Sequence, residues 1–473
     1  MRQSHLFGTT LAALLLIGLF SFQALCADEL KAVVQQPVPH AHKKLLVISA
    51  EQFHQALQHY VEHKRKQLPT ELVSLETVVR DTPGHDDPEK VKRFLYTQWK
   101  DHDAGYALLV GDADVFPVRY MVLDRVTPAA FDYAFYPSDL YYSDLAKADR
   151  SFEDWNAQKG GFHAGYFGEV RGEKNKSEPI NFDHVDYRPD IAVGRWPVST
   201  AEEVRVVAAK TIAYDTELHD TTRPGLKAAA FFSVAGWVDS RNVMDRLAGR
   251  LPSDWHKEKR YYADRQRNDK TSPPTEPQLV ALLDAGQRLV FHAGHGQDDS
   301  WERCFPLRAL DKLQNADRLP VMISAGCSTA RLATLPPYEA YLDVHGKEHA
   351  GSNAGEVFTS PPPPPAAYQK GKFNPTGLGE QLLRRGPNGA VAYIGCNTGS
   401  QPCGLTLLDG FSVSLAEPRN ARLGDAWAGA IAFYYDHEHL AKLVPNADWY
   451  PPSIFFQGMK FMLFGDPTLD VRE

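Results

Sequence analysis

Hydrophobic residues along the chain fall into short apolar runs that alternate with amphipathic stretches. KKLLVISA, from Lys43, is a buried-strand pattern, and a helix-like stretch follows it to about Lys66. TELVSLETVV predicts a second strand. DDPEKVKRFLYTQWKDH carries apolar residues at helical spacing behind an Asp-Asp-Pro start, a helix N-terminal signal. YALLVGDADVFPV predicts a strand that breaks at Gly111-Asp112. PDIAVGRWPVS is again strand-like, and TAEEVRVVAAKTIAYDTEL is an amphipathic helix behind a Ser-Thr-Ala-Glu-Glu cap. TTRPG (221–225) marks a boundary, after which the pattern repeats. KAAAFFSVAG is a strand; helices run from about Asp239 to Leu251 and Glu276 to Ala285. RLVFHAGHG, LPVMISAGC and GPNGAVAYIGC are further strands, and FQGMKFMLFGDPTLDVRE closes with a helix and a short strand. Strands alternating with helices predict an α/β fold on a mostly parallel sheet with covered faces.

Two segments interrupt this rhythm. Residues 145–186 are polar and read as a surface insertion. Residues 331–372 read as a long loop in which Pro361 to Pro365 form extended polyproline. The expected organisation is a subdomain over 43–222 and a second over 223–473. Before them stand MRQSHLFGTTLAALLLIGLFSFQALCA, residues 1–27, and a short linker, 28–42. One arginine, an apolar run and small residues at Ala24, Cys26 and Ala27 predict a cleaved secretory signal; the alternative is an uncleaved membrane anchor. The expected location is therefore secreted or periplasmic, with no membrane association after cleavage.

Composition changes the picture only a little. The chain has 473 residues and a net charge of -8, with no lysine or arginine block, so nucleic acid is not an expected partner. Export to an oxidising compartment matters more. Cys304, Cys327, Cys396 and Cys403 remain after signal cleavage, and an even count permits two disulfides. Cys396 and Cys403 would close a small turn-rich loop. A Cys304–Cys327 bridge would rule out a reactive Cys327.

Two apolar runs end in small residues and one reactive side chain: LVFHAGHGQDDSW on His295 and VMISAGCSTA on Cys327. Ligands of open parallel sheets bind at the carboxyl ends of strands. If these two strands are neighbours, imidazole and thiol share a rim. An imidazole in hydrogen-bond reach takes the thiol's proton and returns it to a leaving amine. The backbone N–H groups of Gly296 and Cys327 are the expected oxyanion donors. Other readings exist. Cys327 as a buried small hydrophobe is the plain one. His292 and His295 as zinc ligands lack a third ligand at recognisable spacing. GCSTA also approaches a nucleophile elbow with Ser328 as nucleophile and His437 or His439 downstream, but its second glycine is an alanine.

Taken together, HAGHG with Trp301, the strand ending AGCS, YALLVGDADVFP, DLYYSDL, YFGE, PDIAVGRWPVST and the closing FGDPTLDVR resemble the gingipain family of cysteine peptidases, relatives of caspases. The likeness runs from about Lys43 to Glu473. It implies a caspase-like fold of two side-by-side α/β subdomains. It also implies a Cys327–His295 dyad cleaving peptide bonds of protein or peptide substrates through a thioester, with no cofactor required for the chemistry. It suggests basic P1 preference through Asp239 in GWVDSRNVM, where the residue's other role is to cap the following helix. Trp301 would wall the cleft or pack as a loop aromatic. Structural calcium is implied in the DLYYSDL…YFGE region, where Asp139, Asp144 and Glu169 are the candidates, although the regular calcium-loop spacing is missing. No long pro-segment or following immunoglobulin-like domain is expected, SVAGW offers no carboxylate to orient the histidine, and the 331–372 loop is expected near the cleft. A catalytically silent member that binds peptides with the same cleft is the alternative from another class.

Overall fold

The main sheet collects apolar strands from the whole length of the chain. A computed structural model describes residues 43–123, 134–156, 165–170, 185–219, 227–234, 238–262, 274–371, 377–418, 422–440 and 457–471. The signal and linker, residues 1–42, lie outside the described residues. Among the described residues, no helix is long and apolar enough to cross a membrane.

In chain order the strands of the main sheet are β1 (Lys44–Ser49), β2 (Thr70–Ser74), β3 (Ala104–Val110), β4 (Ala192–Trp196), β5 (Ala228–Ser233), β6 (His256–Tyr261), β7 (Leu289–Ala293), β8 (Val321–Ser324), β9 (Ala392–Cys396) and β10 (Phe461–Phe464). Their spatial order is β2-β1-β3-β4-β10-β9-β8-β7-β5-β6. All neighbours are parallel except β9 and β10. The single antiparallel step reverses direction, so the strands on either side of it send their carboxyl ends to opposite edges. The join between β4 and β10 is narrow: one register pair, Phe464 with Arg195, and the Gly465 N–H donating to the Arg195 carbonyl at 2.8 Å. The expected α/β fold on a largely parallel sheet is present, its two strand groups fused into one continuous sheet. Near-continuous burial of β1, β3, β5 and β7 is what strands covered on both faces require.

The covering helices follow from their patterns. The helix Asp87–Asp101 is capped by Asp86, whose carboxylate accepts the Glu89 N–H at 3.1 Å, with Pro88 in its first turn. TELVSLETVV divides, contrary to the single strand expected. Ser74 accepts the Thr77 N–H at 3.0 Å, which ends β2 and starts a helix over Leu75–Asp81. Two buried helices, Gly404–Ala416 and Leu423–His437, pack on the sheet in a region for which the sequence pattern assigned no element.

The supposed surface insertion is partly core. Leu145, Trp155, Tyr166 and Phe167 are buried, and Phe167–Val170 pairs with Tyr120–Leu123 in a small second sheet. Trp155 and Tyr141 share the fully buried Lys92 ammonium, which lies 4.3 Å from the Tyr141 ring centre and 5.2 Å from that of Trp155. The loop after Cys327 is pinned as well. His349 sits between Asp343 (2.9 Å) and Glu356 (2.7 Å), and the Tyr166 hydroxyl donates to the Pro362 carbonyl at 2.7 Å.

Candidate active site

β7 and β8 are direct neighbours, and their register pairs His292 with Ser324. His295 and Cys327 follow in the turns just past the carboxyl ends of these strands, so both stand at one carboxyl-end rim and line one cleft. The turn after β7 requires Gly294. Its φ is +152°, and a Cβ there would lie 2.6 Å from the Val234 carbonyl oxygen. The turn after β8 is held by the Ala325 N–H donating to the His292 carbonyl (2.9 Å) and the Gly326 N–H to Ser324 Oγ (3.1 Å). Ser328 then adopts a left-handed conformation, φ +56°, with its N–H on the Thr398 carbonyl at 2.7 Å. The two turns touch through their backbones. A Cβ on Gly296 would stand 2.7 Å from the Cys327 carbonyl oxygen and 2.5 Å from Thr329 Cγ2.

Both expected oxyanion donors are open. The Glu302 N–H bonds the His295 carbonyl, so the antiparallel alternation makes Gly296 and Trp301 a non-hydrogen-bonded pair. The Gly296 N–H therefore points away from that hairpin. Among the described residues no hydrogen bond engages the Cys327 amide. The Cys327 thiol donates to the Ser400 carbonyl at 3.6 Å, and no hydrogen bond joins it to His295 in this conformation.

His295 and Cys327 line one cleft. Val238, Pro402 and Leu405 wall it, together with Ala293 and Ala325. Ser240, Ser400 and Gln401 supply its polar groups, and among the described residues no carboxylate lines it. The 400–402 wall is fixed from β10's side, where Lys460 Nζ donates to the Gly399 carbonyl (3.0 Å) and the Gln401 N–H to Gln457 Oε1 (3.0 Å). No residue of the 331–371 loop lines the cleft.

Several expected site residues do other work. Trp301 is fully buried and so does not wall the cleft. It stacks on His292 at 4.4 Å and 2°, and its indole N–H donates to the Tyr393 hydroxyl at 2.9 Å. His292 is equally buried, which pushes its pKa down to about 3, and among the described residues no third ligand joins it and His295 for a zinc site. Asp239 is not among the cleft residues. Both its oxygens take the Arg241 guanidinium (2.8 and 2.7 Å), and it accepts the Arg241 N–H at 3.1 Å. Those bonds hold its carboxyl down at about 2, and the helix that follows (Arg241–Arg250) has Ser240, not Asp239, at its N-cap. His437 stacks on Phe433, and neither His437 nor His439 lines the cleft, so the Ser328 reading lacks its histidine.

The four described cysteines, Cys304, Cys327, Cys396 and Cys403, are free thiols. Burial pushes Cys304, Cys396 and Cys403 up to about 12, which makes them inert as nucleophiles. The calcium candidates do not converge. Asp139 forms a two-pronged pair with the buried Arg195 guanidinium (2.8 and 2.7 Å), whereas Asp144 accepts the Trp155 indole N–H at 2.7 Å. The Glu169 side chain lies outside the described residues. Among the described residues no group of three or more His, Cys, Asp or Glu side chains is placed to hold a metal ion.

A model of peptidase family C25 matches residues 39–472. The chain belongs to this family, the gingipain family of cysteine peptidases. Among solved structures it is similar to the Arg-specific cysteine proteinase gingipain R, at 16% identity and a TM-score of 0.57, over 93% of this chain and 79% of that one. It is also similar to the complex of the Porphyromonas gingivalis RgpB pro- and mature domains, at 16% identity and a TM-score of 0.56, over 90% and 78% of the two chains. At that identity the likeness establishes a shared fold. No curated protein matches the chain in sequence. C25 membership makes proteins and peptides the substrate class of the family this chain belongs to.

Proposed function

We propose that this C25 member is an exported cysteine endopeptidase working through a Cys327–His295 dyad. The observation that carries the reading is that both side chains line one cleft just past the carboxyl ends of adjacent parallel strands, with Gly296 packed against the Cys327 carbonyl. Rotation about χ1 takes the Cys327 thiol from the Ser400 carbonyl to His295, a change of the kind resting active sites undergo on meeting substrate. His295 accepts the thiol proton, and the thiolate attacks the scissile carbonyl carbon. The new C–S bond leaves an oxyanion facing the Gly296 and Cys327 N–H groups. Collapse breaks the C–N bond as imidazolium hands its proton to the leaving amine. Water, deprotonated by His295, then attacks the thioester, releasing the acid and restoring the thiol. Every proton in this scheme is carried by protein groups.

Basic P1 preference would require Asp239 to exchange Arg241 for the substrate's cation. Export rests on the signal pattern of residues 1–27. The second reading, a silent peptide-binding module, draws on the thiol's bond to Ser400. Hydrolysis of a mixed fluorogenic peptide library under reducing conditions, with and without calcium and beside Cys327→Ala, separates the two. Cleavage abolished by the substitution supports the peptidase. No cleavage, with Cys327 unreactive toward iodoacetamide, supports the binding module.

A further inference from the structure

We infer that Tyr393 is a positioning residue for the two oxyanion donors, its hydroxyl holding the Gly296 and Cys327 N–H groups in place relative to each other. This rests on the peptidase reading above. The donors belong to separate segments: Gly296 opens the hairpin after β7, and Cys327 stands in the turn after β8. One oxygen accepts both N–H groups only if each lies about 2.7–3.1 Å from it, so the tilt and the spacing of the two segments both matter. Tilt follows from peptide planarity, which points a residue's N–H opposite to the preceding carbonyl. The His295 carbonyl, facing away from the Gly296 N–H, accepts the Glu302 N–H at 3.1 Å. The Gly326 carbonyl, facing away from the Cys327 N–H, accepts the Thr329 hydroxyl at 3.3 Å.

Spacing needs a tie between the segments, and Tyr393 of β9 provides it. Direct contact sets only a lower limit: a Cβ on Gly326 would stand 3.2 Å from Gly296 Cα. Tyr393 is fully buried, and its hydroxyl accepts the Trp301 indole N–H at 2.9 Å. Trp301 is the residue opposite Gly296 in the hairpin and the one before Glu302. Thr329 and Ser324 stand beside the same phenol. Burial pushes its pKa up to about 12, and hydrogen bonding with Thr329, Trp301 and Ser324 opposes that rise. Ser324 Oγ accepts the Gly326 N–H at 3.1 Å, so the N–H and the carbonyl of Gly326 are both held by hydroxyls that border Tyr393. A single buried hydroxyl thus joins the residue across from one donor to the residues that orient the other.

The test uses the mature protein, a fluorogenic peptide that it cleaves, and iodoacetamide. Tyr393→Phe keeps the ring and removes the hydroxyl. The expected result is a fall in kcat of about tenfold or more with KM little changed. The rate of Cys327 alkylation by iodoacetamide, and its pH profile, should stay as in the wild type. That reaction forms an S–C bond at a saturated carbon and expels iodide, so no oxyanion develops. A merely structural loss would slow both reactions. Trp301→Phe breaks the same bond from its other end and should give a similar fall, with no further fall in the double variant. Thr329→Val keeps a methyl toward Gly296, should show the same split, and decides the matter if Tyr393→Phe does not fold. An unchanged kcat, falls that multiply in the double variant, or alkylation slowed in step with kcat overturns the positioning role and leaves the peptidase reading standing. Neither cleavage nor labelling by the wild type overturns both.

Discussion

His292 offers the sharpest quantitative test of how the site is built. Its ring is fully buried, stacked on Trp301, with Nδ1 2.9 Å from Ser324 Oγ and Nε2 without a partner. No acid compensates it, and burial alone pushes its pKa from an ordinary 6.5 to about 3. The unfolded chain therefore binds a proton that the native state refuses throughout that window. Because the folded pKa is the lower one, the contribution is complete above about pH 6.5 and is lost as pH falls toward 3. Each pH unit is worth about 1.4 kcal/mol, so the loss reaches about 2 kcal/mol by pH 5 and roughly 4–5 kcal/mol across the window. The perturbation is His292→Phe, which keeps an aromatic ring against Trp301 and has nothing to titrate. Histidine-selective NMR should show one ring resonance, absent from the variant, that does not titrate between pH 8 and 4. Urea unfolding should show the wild type losing about 2 kcal/mol relative to the variant between pH 7 and 5. A His292 resonance titrating near 6.5, or parallel pH dependences for the two proteins, would refute the reasoning. The consequence reaches the cleft, since solvating the imidazolium means parting Trp301 from β7, and with it the hairpin that begins at Gly296.

Three further outcomes are expected. Gly296→Ala places a methyl 2.5 Å from Thr329 Cγ2 and 2.7 Å from the Cys327 carbonyl, so kcat should fall by about 100-fold or more while circular dichroism stays native; an unchanged kcat would show that this contact does not set the site. Arg384→Met removes the guanidinium 2.7 Å from Asp112, a carboxylate with no exposure, and should cost about 3–5 kcal/mol by chemical denaturation. Trp301→Phe keeps the stack on His292 but loses the N–H donated to Tyr393. It should cost about 1 kcal/mol and leave P1 preference unchanged, whereas a shifted preference would return Trp301 to the cleft.

Much of the fold was legible because parallel strands buried on both faces write themselves as apolar runs. β1, β3, β4, β7, β8 and β9 were each visible in that way, and Asp86 with Pro88 announced its helix. β6 was not: HKEKRY is polar along most of its length, as an edge strand with charged side chains facing water is expected to be. The helices Gly404–Ala416 and Leu423–His437 were missed because they are buried over much of their circumference and show no clean polar stripe. Trp155 was misplaced because it packs against Tyr141, Tyr187 and the Lys92 ammonium, partners that no local pattern reveals.

The site divides along the same line. His295 and Cys327 were identifiable from local signals, a reactive group and small residues at a strand's end, and needed from the structure only the adjacency of β7 and β8. The roles of Trp301 and Asp239 depend on partners, and there local reading left two alternatives open for each. Trp301 needed His292, nine residues upstream, and Tyr393, 92 residues downstream. Asp239 needed only Arg241, two residues away, yet the same spacing permits an acid that faces a substrate and one that faces its neighbour. What separates them is the environment of the arginine. A solvated Arg241 would make this a loose surface ion pair, while one buried beside Tyr262 makes it part of the packing.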